Sequence, residues 1–218
     1  MSKILTLSKK AIIDLIIEQE VSSEVYYKAK LQSPVWPGGH SGITVGLGYD
    51  VGTQTPLQIQ KDFAGILTPK EVERLMRYAG KTGEICKTYV PLLKDFKMEW
   101  FKACKLFYQT SLRRYARSAA GIYPQLETLH PYEQTAIVGL VYNRGTALKG
   151  DSRKEMALLV QAIIDDNDKT MAGLIRAMKR LWANKGLNGL LTRRELEADW
   201  VEMVDTPIEE SDKLLIEI

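Results

Sequence analysis

The chain has 218 residues, of which 45% are hydrophobic, 26% charged and 8% aromatic. This balance suits a globular chain that buries a core without covalent staples, and it excludes disordered and fibrous classes. No stretch approaches the roughly 20 apolar residues of a membrane-spanning helix, so no stable membrane insertion is expected.

Two cysteines, Cys86 and Cys104, and two histidines, His40 and His130, are too few for a disulfide framework or a metal site built from Cys or His. Both cysteines sit among apolar or aromatic neighbours and read as reduced core thiols. The net charge of +3 is uneven. Glu202, Asp205, Glu209, Glu210, Asp212 and Glu217 face only Lys213 in the last eighteen residues, which carry −5 and leave +8 on the rest. A basic body suits an anionic polymer (nucleic acid, a lipid surface or a bacterial wall) without choosing among them.

In chain order, Ser8 is an N-cap candidate for an amphipathic helix running to Glu20, with Ile12, Ile13, Ile16 and Ile17 at helical spacing. Lys3, Lys9 and Lys10 precede its apolar run, but Asp14 interrupts that run and no cleavage site follows, so no signal peptide is read. Residues 25–31 are short and β-prone and predict a strand. Ser33 to Gly42 is dense in turn formers. Ile43 to Leu47 predicts a second strand, punctuated by Gly46, Gly48 and Gly52. Thr68-Pro-Lys-Glu71 predicts a capping box opening a helix toward Tyr78. Further helices are expected over about 99–119, 132–143, 152–165, 168–183 and 189–204. The fold class is α+β, mostly helical, with its strands gathered near the N-terminus. Residues 1–206 form one domain, with a β-rich segment at about 25–52, and 207–218 form an acidic tail or terminal edge segment.

The glycines of Gly46-Leu-Gly48-Tyr-Asp-Val-Gly52 miss the dinucleotide fingerprint by one residue and lack its βαβ context. Gly39-His-Ser41-Gly likewise misses a nucleophile elbow. Glu20 is more informative. It follows Ile17, Ile16 and Ile13 by three, four and seven residues, on the apolar face at the helix's C-terminal end. Desolvation and the negative end of the helix dipole both disfavour its anion there, so the carboxyl keeps its proton near neutral pH, as a general acid needs. Glu18 lies on a more polar side with Asp14. A strand returning beside that helix end could bring Thr44 and Asp50 near Glu20. Two carboxylates with a hydroxyl between them equip a site for glycoside hydrolysis by water.

The stretch from Glu20-Val-Ser-Ser through Val25-Tyr-Tyr, followed by Trp36-Pro-Gly-Gly-His-Ser-Gly-Ile-Thr44-Val-Gly-Leu-Gly-Tyr-Asp50-Val-Gly52, resembles the pesticin-like muramidases, relatives of phage-type lysozymes. Their order of Glu, Thr and Asp, with Thr-x-Gly-x-Gly-Tyr-Asp, is kept here as Glu20, Thr44 and Asp50. Downstream, Glu133 to Gly145 is similar to the family's core helix with its Asn143-Arg144-Gly145 end, Gly150 to Met156 opens the next helix, and Leu187 to Ala198 resembles the late Gly-Leu-x-x-Arg-Arg helix. The match spans about residues 12–204. No separate receptor-binding or translocation segment is read ahead of it, which argues against a bacteriocin.

The resemblance implies a lysozyme-like fold and cleavage of the β-1,4 bond between N-acetylmuramic acid and N-acetylglucosamine. Glu20 is the expected acid, Asp50 stabilises charge or orients water, and Thr44 holds that water. Trp36, Tyr49, Asn143 and Arg144 are candidates to line the sugar groove. The expectation includes peptidoglycan as the partner, a monomer, no nucleic acid, no metal and no organic cofactor. Release to the wall follows a holin- or injection-type route. The alternatives are a lytic transglycosylase and a non-catalytic wall-binding or virion structural protein.

Overall fold

The computed structural model describes residues 3–21 and 23–218 and, of Glu20 and Val21, the backbone alone. The chain is 61% helical with short antiparallel strand pairs, a mostly helical α+β fold. It divides into two compact units, one formed by Met1–Gln19 with Arg113–Ile218 and the other by Glu20–Leu112.

The first unit is built around the helix Pro131–Arg144, whose residues from Tyr132 to Val141 are all buried. Apolar residues occur on every side of it, so no face can be left to solvent. The strand Ile4–Ser8 lies against it. Thr6 N donates to Gln134 Oε1 at 2.8 Å and Ser8 N to Thr135 Oγ1 at 2.9 Å, while Leu5 and Leu7 are fully buried. Each such leucine stabilises by about 1.5–3 kcal/mol. The helices Lys154–Ile164, Asp168–Ala177 and Asn188–Val201 complete the unit. Arg176 ties two of them together through Glu195, Asp199 and Glu202 at 2.6–2.7 Å.

The acidic C-terminal segment is structured. Lys213–Glu217 pairs antiparallel with Ile4–Ser8, with Leu5 opposite Ile216 and Ser8 opposite Lys213. The strands are therefore not all gathered near the N-terminus; one pair joins the two ends of the chain. Just before that strand, Asp212 is buried, and its Oδ2 accepts from Ser8 Oγ at 2.6 Å. Its Oδ1 accepts from Lys10 N at 2.8 Å, and Ser8 Oγ accepts from Ala11 N at 3.1 Å. The expected N-cap is thus Ser8, reinforced by a carboxylate from the far end of the sequence at the positive end of the helix. The helical run it starts is Lys9–Ile12, a π-helical turn Ile13–Ile17, and Glu18–Val21.

In the second unit, residues 25–31 are not a strand. They form the helix Glu24–Tyr26 and a π-helical turn Tyr27–Leu31. Ser23 Oγ caps Tyr26 N, and Tyr27 is fully buried with its hydroxyl donating to the Met98 carbonyl at 2.9 Å and its ring edge-on to Trp100. A local cap and one buried tyrosine override the β-propensity of Val25, Tyr26 and Tyr27. The expected strand near 43–47 is Thr44–Val45, paired with Tyr49–Asp50. The capping box of Thr68 and Glu71 is present and opens Pro69–Met76. The helix expected over 99–119 is broken at Thr110 into Trp100–Gln109 and Ser111–Ile122, the second of which belongs to the first unit from Arg113 onward.

Two outcomes follow for stability. Asp212→Ala removes the acceptor for both Lys10 N–H and Ser8 O–H and should cost about 1–3 kcal/mol. Thermal unfolding followed by circular dichroism should show a loss of about 2–4 °C per kcal/mol. An unchanged midpoint would show that the tail does not brace the helix. The second concerns Glu133, whose Oε2 accepts from His130 N at 2.9 Å. Burial pushes its carboxyl up to about 7, and Asp166 and Asp168 add to the rise, against an ordinary 4.5. The folded state holds this proton more tightly. Its contribution is complete below pH 4.5 and is lost as pH rises through about 7. His130, lowered by burial, acts in the opposite sense. The difference between wild type and Glu133→Gln in denaturant midpoints across that window should therefore shrink the wild-type advantage as pH rises.

Candidate active site

Thr44 and Asp50 are directly opposite in the strand register. Opposed residues of an antiparallel pair project from one face with neighbouring Cβ atoms. Thr44 is also bonded on its other side, where its N–H donates to the Val35 carbonyl at 2.8 Å and its carbonyl accepts from Val35 N at 3.0 Å. It is thus the middle of three short extended segments.

The Asp50 carboxylate is the knot of this loop cluster. Its Oδ1 accepts from Gly42 N at 3.1 Å, Gly52 N at 2.9 Å and Thr53 N at 3.3 Å. Among the described residues, Oδ2 receives only the shared Gly42 N–H, at 3.0 Å. Asp50 thereby caps the 3-10 turn Val51–Thr53 and ties it to the loop before Thr44. The tie demands glycine on both sides. A Cβ on Gly42 would lie 2.4 Å from Asp50 Oδ1 and 2.4 Å from the Gly52 Cα, and one on Gly52 would lie 2.1 Å from the Lys81 carbonyl oxygen. Cys86 Sγ donates to that same carbonyl at 3.2 Å; burial pushes its thiol up, and the nearby Asp50 charge adds to the rise.

Trp36 is half-buried, and its Nε1 donates to the Ser41 carbonyl at 3.0 Å, closing the loop that leads into Thr44. Tyr49 is buried, with its ring edge-on to Phe63 at 5.0 Å and its hydroxyl donating to Asp62 Oδ2 at 2.7 Å. Burial and the Asp62 hydrogen bond raise that phenol well above its ordinary value.

Glu20 lies in the last turn of the first helical run, in the Glu18–Val21 segment; its side chain lies outside the described residues. The π-helical turn Ile13–Ile17 interrupts the 3.6-residue period on which its expected face was counted. Asn143 and Arg144 belong to the first unit, at the end of Pro131–Arg144. Asn143 is exposed, and its Oδ1 accepts from Arg194 Nη2 at 3.2 Å. Arg144 donates to the Ser152 carbonyl, and its guanidinium lies 4.9 Å over the Trp182 ring. Burial pulls its pKa down, and the charge of Arg153 lowers it further.

Thr44, Asp50, Trp36 and Tyr49 therefore share one cluster within the second unit. Asn143 and Arg144 share a different one, with Trp182 and Arg194. Sequence reasoning missed Gly42, Asp62 and Cys86 as partners. Gly42 and Gly52 stand eight residues before and two after Asp50, a visible signal; Asp62 and Cys86 gave none, because packing alone brings them close. Among the described residues, no group of three or more His, Cys, Asp or Glu could hold a metal ion.

These features define a mostly helical α+β protein in which a glycine-tied strand pair presents an Asp and a Thr together. Residues 18–188 match the family model described as Domain of unknown function (DUF8812), and the chain belongs to that family. The matched stretch contains Thr44, Asp50, Asn143 and Arg144 and leaves the paired terminal strands outside it. The chain matches none of the curated proteins.

The close approach of the two glycines is open to a direct check. Gly42→Ala should destabilise by about 1–3 kcal/mol or more, because neither a carboxylate in use nor a backbone Cα can move aside. Gly121, a helical residue with nothing within 4 Å of an added Cβ, is the contrast. Gly121→Ala should raise stability by about 0.5–1 kcal/mol. Equal effects in denaturant unfolding would contradict the packing described for Gly42.

Proposed function

We propose that the protein is a peptidoglycan muramidase of lysozyme-like fold. The supporting observation is the direct opposition of Thr44 and Asp50, with Asp50 held by three backbone amides: those of Gly52 and Thr53 reach Oδ1 alone, and that of Gly42 is shared between Oδ1 and Oδ2. A carboxylate anchored in this way holds its less heavily bonded oxygen, Oδ2, at a set position, as electrostatic stabilisation requires. The order Glu20, Thr44, Asp50 in the sequence supplies the second support.

In this reading Glu20 protonates the glycosidic oxygen of the bond between N-acetylmuramic acid and N-acetylglucosamine. Asp50 stabilises the oxocarbenium-like charge or orients the attacking water, and the Thr44 hydroxyl holds that water. Inversion at the anomeric carbon is expected from the resemblance to phage-type enzymes. Trp36 contacts sugar, while Tyr49, its hydroxyl committed to Asp62, steadies the strand behind Asp50, and Asn143 and Arg144 are engaged within the other unit by Arg194, Ser152 and Trp182. The protein works as a monomer on the wall, after holin- or injection-type release, and requires no cofactor.

Glu20→Gln should lower lysis of purified cell walls, followed by turbidity, by about 10²–10⁴-fold with an unchanged circular dichroism spectrum. Glu18→Gln should stay near wild type. The reverse pattern would remove Glu20 as the acid. Products one water lighter than the hydrolytic ones would identify a lytic transglycosylase instead, and intact walls a binder.

A double-mutant cycle on kcat/KM tests the shared water. Asp50→Asn keeps an oxygen for the three amides while removing the charge, so the fold survives. It should cost more than Thr44→Ala, and the double variant should be about as slow as Asp50→Asn alone, a coupling of about 0.5–3 kcal/mol. Strictly multiplicative losses would return Thr44 to a structural role.

A further inference from the structure

The helix Ser111–Ile122 carries Arg113, Arg114 and Arg117 and no acid. Its positions Leu112, Ala116 and Ala119 are fully buried. At about 100° per residue, Arg113, Arg117 and Arg114 fill the arc turned away from that stripe. Arg114 and Arg117 are exposed and Arg113 is half-buried. Among the described residues none of the three meets a carboxylate. The unit that holds them concentrates its carboxylates elsewhere: on Arg176 through Glu195, Asp199 and Glu202, on Arg180 through Asp151 and Glu155, and on Arg194 through Glu197.

The placement works against the helix itself. Cations in the first two turns oppose the helix dipole, and Arg113 and Arg117 repel each other at i,i+4. A local rule broken without a gain inside the folded chain points to a partner outside it. We propose that this arginine face binds a phosphodiester polymer of the bacterial wall, of the polyol-phosphate type, and so holds the enzyme on its substrate. The choice of polymer rests on the muramidase reading.

Guanidinium forks suit phosphate, and residues three and four apart stand about 5–6 Å from one another, close enough for successive phosphates of a flexible single chain. The arc holds no apolar side chain to enter a lipid surface. The neighbouring Tyr115 lies under the Arg114 guanidinium at 5.1 Å and edge-on to Tyr142 at 4.6 Å, so its ring is engaged and offers bases no open stacking platform.

The test measures binding of a fluorescent glycerol-phosphate oligomer to the full chain by anisotropy at low salt. The wild type should bind, and the triple variant R113Q/R114Q/R117Q should lose roughly ten- to a hundredfold in affinity, with a weaker salt dependence. K149Q/K154Q/K169Q removes three charges from exposed lysines of the same unit and should change affinity by less than about threefold. Unfolding midpoints confirm that both variants fold. Polyglutamate and an oligothymidylate of equal charge should bind more weakly than the phosphate oligomer. The proposal is overturned if the arginine variant binds like wild type, if the lysine variant loses as much, or if either competitor polymer binds as well. Binding needs no turnover, so Glu20→Gln should retain it. A protein that binds through these arginines yet leaves walls intact would fail the muramidase reading and keep this one.

Discussion

The burial of Tyr132–Val141, on every side of the helix Pro131–Arg144, sets the terms for the first unit. A helix whose residues from Tyr132 to Val141 are all covered must be wrapped, and wrapping brings polar groups inside with it. Gln134 and Thr135 are therefore not stray polar residues. They accept the backbone N–H groups of Thr6 and Ser8, so that the strand Ile4–Ser8 can lie against the helix without unpaired donors. The helical run that follows is packed on the same core helix, with Leu15 and Ile16 side chains 3.6 Å from where a Cβ at Gly139 would stand. Glu197, fully buried on a third element, is matched by Arg194 at 2.6 Å and Arg193 at 3.3 Å, because a lone buried charge would be far more costly.

The second unit solves a different problem with a single carboxylate. Strands of two residues have too few ladder bonds to hold themselves, so Asp50 supplies acceptors for three amides from two flanking segments. That requirement makes the loop rigid, and rigidity is also what a charge-stabilising group needs. In the proposed reading one side chain serves both ends, because Oδ1 meets all three amides while Oδ2 shares only that of Gly42. The cost is the loss of any side chain at Gly42 and Gly52.

The chain's charge follows the same logic of placement. The acidic C-terminal segment reads by composition as an acidic tail or a terminal edge segment, and in the fold Asp212 is buried against the start of the first helix, where a negative charge is favoured by the helix dipole. The basic excess is unevenly neutralised. Arg176 and Arg180 lie among carboxylates, whereas Arg113, Arg114 and Arg117 share a helix without any.

The sequence by itself determined what depends on near neighbours: the cap at Ser8, the capping box of Thr68 and Glu71, the helical periods downstream, and the glycine-rich turn between Thr44 and Asp50. These are set by contacts within four residues, and the residue types state them directly. Only the tertiary structure decided the rest. Residues 25–31 became helical because Tyr27 is buried against Met98 and Trp100, some seventy residues away. The terminal strands formed because each offered the other an edge, and Asp212 met Ser8 across 204 positions. Asp50 acquired its three amides, and Tyr49 its Asp62, for the same reason. Pairings between distant segments are chosen by which buried donors and acceptors must be satisfied together, and that choice is made by the packed chain as a whole.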